Sequence, residues 1–229
     1  EDTLSLHDAL PISYGWINQQ SASVSTLNNL AALLFILPYF IFSATAGQIA
    51  DKYERARLVR GIKILEIIIM LIGSAGFLLG HLWLLLLALF LMGTHSTFFG
   101  PIKYAILPEI LKPNELMSGN ALFQSGTSMA ILIGMILGGA VISASDGNLL
   151  WISLTIVTIA ILGYFSSRFI LKQNVATPDL EIDWNFFRTS FQTLKYAKSI
   201  PLIYLVLLGN SWYWFYGATY LTQIPQLMQ

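Results

Sequence analysis

The sequence contains no cysteine, which removes disulfides, thiolate catalysis and cysteine-based metal sites from consideration. Charge is scarce. Only 10% of the 229 residues are Asp, Glu, Lys or Arg, where a soluble domain carries about a quarter. No G-x-S-x-G elbow, H-x4-D acyltransferase box, phosphate-cradling Gly-Lys-Ser/Thr loop or pair of metal ligands occurs. The expectation is therefore no catalytic residue, no cofactor and no metal. The formal net charge is zero, so no basic excess points to nucleic acid. The apolar runs do not alternate with polar residues, which argues against strands and a β-barrel.

Long apolar runs are what the chain does have. Six read as spans: Leu27–Ala50, Arg60–Gly80, Leu82–Lys103, Met117–Ser143, Leu149–Leu171 and Pro201–Thr222. At about 21–27 residues each, they are long enough to cross a hydrocarbon core of roughly 30 Å as helices. The cations then sort to one side. Lys52, Arg55 and Arg57, flanked by Arg60 and Lys63, follow the first run. The connection at Gly80–His81 has none; Lys103 and Lys112 come next; Ala144–Asn148 has none; Arg168, Lys172, Arg188, Lys195 and Lys198 follow. This alternation places the basic connections in the cytoplasm and predicts a multi-pass protein of the cell inner membrane.

Four stretches organise the chain. Residues 1–13 match neither a signal peptide nor a span, and Thr3–Ile12 (TLSLHDALPI) looks like a translated sequencing adapter. Residues 14–171 are expected to form a transmembrane bundle lacking its first helix, because polar Tyr14–Thr26 starts on the outer side. The visible spans would then be the second to the seventh. Residues 172–200 form one long hydrophilic connection. Within it Trp184, Phe187, Phe191 and Leu194 share a helical face, with Arg188, Lys195 and Lys198 elsewhere and Asp183 as the expected cap. An amphipathic helix on the inner leaflet is predicted there. Residues 201–229 read as the truncated first helix of a second bundle. Six spans, a loop and the start of another bundle is the layout of a two-halved secondary transporter, so the fold class expected is an all-α polytopic helix bundle.

The strongest motif is Gly47-Gln48-Ile49-Ala50-Asp51-Lys52-Tyr53-Glu54-Arg55, in the short turn after the first run. Gly47 permits close helix approach, Asp51 can pair with a cation or with helix-end N–H groups, and Lys52 and Arg55 suit the phosphate level of a membrane. The stretch resembles the signature loop of the major facilitator superfamily, G-x-L-A-D-R-x-G-R-[RK]. Glu54 stands in place of the second glycine and Ala56 in place of the final basic residue, a charge that Arg57 can supply. A narrower resemblance uses four collinear blocks: Leu34–Lys52, Phe98–Leu111, Asn114–Thr127 and Gly209–Gln226. These are similar to the lysophospholipid transporter family, whose members in some bacteria are fused to an acyltransferase and acyl-carrier-protein synthetase. The resemblance implies a partial major facilitator fold, a lysophospholipid substrate, membrane-lipid partners and a fused or associated acyltransferase.

Polar residues inside the spans are the candidate pathway. Glu66 is the one acidic side chain well inside a run; it can take part in proton coupling or pair locally with Lys63 one turn earlier. His95, among Gly93, Thr94, Ser96 and Thr97, fits a wet cavity or a helix contact. Lys103, next to Tyr104, can hold a lipid phosphate or snorkel as an anchor. Glu109 can pair with Lys112 or with a cation of the first loop. Asn120 and Gln124 lie one turn apart and can donate to phosphate or glycerol oxygens. Gly134 and Gly138 make a G-x-x-x-G packing face. Asn210, Trp212, Tyr213, Trp214 and Tyr216 crowd the middle of the last run and can flank an acyl chain; Gln223 and Pro225 mark its outer end or a break. With these residues as its candidate pathway, the resemblance implies an alternating-access transporter moving lysophospholipid, of the lysophosphatidylethanolamine kind, for reacylation. The rivals are a facilitator exporting drugs or small metabolites, and a membrane anchor for a fused acyltransferase.

Overall fold

The computed structural model describes residues 24–172 and 177–227. The expected adapter-derived segment, and most of the polar stretch before the first span, lie outside them. Among the described residues seven helices follow in order: α1 (Val24–Lys52), α2 (Arg55–Leu79), α3 (Leu82–Ile110), α4 (Leu116–Ala144), α5 (Leu149–Ser167), α6 (Phe186–Ser199) and α7 (Pro201–Leu227). Helices α1 to α5 are long and apolar enough to span a membrane. This makes the chain a multi-pass membrane protein. The sixth predicted span lies in α7, a continuous helix of 27 residues.

The helix ends have local causes. Gly80 takes a left-handed φ of 68° and closes α2, with its N–H on the Phe77 carbonyl and that of His81 on Gly76. The α4–α5 turn uses left-handed Asp146 and Gly147, and the Asn148 side chain accepts from the Leu150 N–H at 3.0 Å to start α5. Helix α5 stops at Ser167, four residues before the predicted Leu171, because the chain turns at Arg168–Ile170. There the Arg60 guanidinium donates to the Ile170 carbonyl at 3.2 Å. The cap of α6 is Asn185 and not the expected Asp183: the Asn185 side chain accepts from the Arg188 N–H, while Asp183 accepts from Asn185 N–H. Helix α7 runs through Gln223 and Pro225 and ends at Leu227, so of the two readings of these residues the break does not occur and the end of the helix lies beside them.

The chain divides into two compact units, one ending at Ile182 and the other starting at Asp183. In the first, α3 packs along both α1 and α2, and α2 packs along α5. Its core joins Ala50, Val59 and Ile102, with Phe99, Ile106 and Ile170 against them. Gly93 makes the α1–α3 approach: any Cβ there would collide with the Phe35 carbonyl oxygen. Gly47, expected to serve that purpose, has nothing within 4 Å of a Cβ position. The same holds for Gly134 and Gly138, so their expected packing face meets no described residue. Helix α4 has no buried residue and touches α3 and α5 only lightly. Three long-range contacts gather the basic connections at one end of this unit: Arg55 to Glu109, Arg60 to Ile170 and Thr177 N–H to the Asp51 carbonyl.

Candidate functional site

Two ionic clusters lie at different depths along α2. At its first residue, Arg55 is only 6% exposed. Its guanidinium contacts the Glu109 carboxylate near the end of α3 and lies 3.8 Å from Asp51 on α1. Of the two partners expected for Glu109, the first-loop cation is therefore the one it meets. Only Tyr53 and Glu54 separate α1 from α2. Glu54 has φ −58°, so the backbone here makes no demand for the glycine of the signature motif. Lys52 sits 5.9 Å from the Tyr53 ring centroid, and Arg57 is exposed.

The second cluster lies about 16 Å further along α2, at 1.5 Å per residue. Lys63 Nζ is 2.6 Å from Glu66 Oε2, the local pair that the sequence offered. His95 of α3 joins it, with Nε2 3.4 Å from the same oxygen, although without hydrogen-bond alignment. His95 is buried, and its Nδ1 has no hydrogen-bond partner among the described residues. Its ring stacks on Phe99 one turn on, 6.1 Å between centroids and 13° between planes. The Lys63 ammonium lies 5.3 Å from the Phe99 centroid, and a Cβ at Gly163 of α5 would come within 3.5 Å of it. Three helices thus enclose one carboxylate and two basic groups. Phe99 and Gly163 were not anticipated; the i, i+4 spacing of Phe99 from His95 is the signal that could have found the first.

Toward the basic end, α3 and α4 meet through polar and aromatic groups. The Tyr104 hydroxyl donates to Gln124 Oε1 at 3.1 Å. Lys103 Nζ stands 4.9 Å from the Tyr104 ring and 5.9 Å from that of Phe123. Beside it lies a cavity of about 440 Å³ lined by Val59, Phe99, Ile106, Phe123 and Ile170, within the range of roughly 300–1,000 Å³ common for small-molecule sites. Among the described residues Lys103 is its one charged lining residue. Asn120 is exposed one turn before Gln124. Asn210, Trp212 and Trp214 belong to the second unit and are exposed on α7, with Trp212 against Phe215 and Tyr213 edge-on to Trp214. No group of three or more His, Cys, Asp or Glu suited to a metal occurs among the described residues.

A helical bundle with a charged α1–α2 turn and ionic groups inside its spans narrows the families it can join. The family model of the Major Facilitator Superfamily matches residues 8–229. The chain belongs to the Major Facilitator Superfamily. Among curated members of this superfamily, it is 27% identical over 197 residues to "Lysophospholipid transporter LplT" of Cronobacter sakazakii, covering 82% of this chain and 45% of that protein. Proteins of the same name from Escherichia coli strain K12 and Shigella boydii serotype 18 are each 27% identical over 194 residues, with the same coverage. The chain therefore spans about half the length of these facilitator relatives.

Proposed function

We propose that this chain is part of a secondary transporter that moves lysophospholipid across the bacterial inner membrane. The observation that carries the reading is the similarity to lysophospholipid transporters along 82% of the chain. The substrate is of the lysophosphatidylethanolamine type, delivered to the inner leaflet for reacylation by a fused or associated acyltransferase. The chain's part is transport and not catalysis.

The geometry supports an amphiphilic cargo. Lys103 offers a phosphate a mobile cation beside an apolar cavity that suits a chain, and Tyr104, Asn120 and Gln124 supply uncharged polar contacts nearby. Asn210, Trp212 and Trp214 provide further apolar and polar surface on α7. The Lys63–Glu66–His95 cluster ties α2, α3 and α5 together one to two turns inside the predicted span, where an ionisable group is costly and tends to be kept for function. Transport needs the two access states to bind cargo unequally, since equal affinity shifts nothing. A cation that meets phosphate in only one state provides such a bias.

The test is uptake and reacylation of lysophosphatidylethanolamine in cells lacking their own transporter and expressing the native gene. Restored uptake that Lys103→Ala and Asn120→Ala diminish is the expected result. A well-expressed, inserted protein that moves no lysolipid but exports dyes would replace this reading with the drug-exporter one.

A further inference from the structure

Helix α6 is packed the wrong way round for water. Its buried positions are small, Thr189 at 4% exposure and Ala197 at 7%. Its large apolar side chains face outward: Phe187 is 71% exposed, Phe191 69% and Leu194 56%, and Trp184 just before the helix is exposed too. At 100° per residue Phe187, Phe191 and Leu194 fall within one narrow stripe. A helix in a soluble protein would turn that stripe inward.

The charges around the stripe name the medium. The helix FFRTSFQTLKYAKS has no acidic residue. Arg188 and Lys195 flank the stripe along one edge, and Lys198 follows in the last turn. Asp183, ahead of the helix, lies 3.8 Å from Arg188. Long basic side chains beside exposed aromatics fit a headgroup layer, where the stems lie on apolar surface and the cations reach phosphate. One residue, Ile200, separates α6 from α7, so the helix is held at the basic end of a predicted span.

We propose that α6 docks flat on the anionic surface of the inner leaflet, with Phe187, Phe191 and Leu194 below the phosphates and Arg188, Lys195 and Lys198 among them. Each basic side chain near such a surface is worth about a fivefold shift in binding. The docked state therefore depends on the content of anionic lipid as well as on the apolar stripe.

These 229 residues contain no cysteine, so an introduced thiol is the single labelling site among them. Single-cysteine variants Phe191→Cys and Tyr196→Cys, on opposite sides of α6, are labelled with an environment-sensitive fluorophore in the full protein and reconstituted into vesicles. Lipid-borne quenchers should reach the residue-191 label much more than the residue-196 label in vesicles with phosphatidylglycerol. The contrast should fall several-fold in purely zwitterionic vesicles, or when Arg188→Gln and Lys195→Gln are added. Phe187→Cys serves as a second reporter should Phe191→Cys fold poorly. Equal quenching by water-soluble agents at both positions overturns the proposal by placing α6 in water. A residue-191 label shielded from both kinds of quencher also overturns it, by placing the stripe against protein.

Discussion

Arg55 with Glu109 and Lys63 with Glu66 are the same chemistry at two depths, and the depths assign them different work. Arg55 sits at the first residue of α2, where headgroups and water offer a freed carboxylate other partners. Its buried guanidinium clamps three helix ends. Lys63 and Glu66 sit well inside the span, where no solvent replaces a lost partner, and His95 shares the same carboxylate. Removing Glu66 leaves Lys63 without a carboxylate partner inside the span, whereas removing Glu109 leaves the buried Arg55 its second carboxylate, Asp51 at 3.8 Å.

The largest expected effect comes from Glu66→Ala, which leaves the Lys63 ammonium unpaired. It should destabilise the bundle by about 3–5 kcal/mol, the scale for breaking a buried ion pair, measured as loss of folded protein in detergent melts. Lys63→Met with Glu66→Leu should recover most of that stability, since an apolar pair of similar volume is often neutral. If the single change were silent, the cluster would have to be wet, and the contrast in depth would collapse. Next is Lys103→Ala, expected to cut lysolipid uptake about 10- to 150-fold, the range that loss of a charge-assisted contact of about 1.5–3 kcal/mol gives, with little change in melting. At the shallow cluster, a double-mutant cycle of Arg55→Ala and Glu109→Ala should give a coupling of about 1–2 kcal/mol, smaller than that of Lys63 and Glu66 in the same assay. Glu54→Gly should be the mildest, within about 0.5–1 kcal/mol, because φ −58° already suits any residue.

The bundle was legible because spans and charge alternation are properties of runs, and runs survive errors of a few residues. Where the reading missed, the missing fact was a neighbour. Lys63 and Glu66 share a helix and could be paired by spacing, but His95 reaches Glu66 only through the register of α2 on α3, which no single segment encodes. Gly47, Gly134 and Gly138 advertised room for a close approach, yet a small residue gives an opportunity and not a contact. The approach occurs at Gly93, noticed only as part of a polar patch. Asp183 and Asn185 are both good caps two residues apart, and only the backbone path into α6 selects Asn185.

The turn of Tyr53 and Glu54 has a consequence for which way the protein faces. Two residues leave no slack between α1 and α2, so the sidedness of one helix dictates that of the other. Lys52, Arg55 and Arg57 crowd that bend, and carrying it across the bilayer would drag all three cations with it. The bend thus sets the sidedness of both helices together.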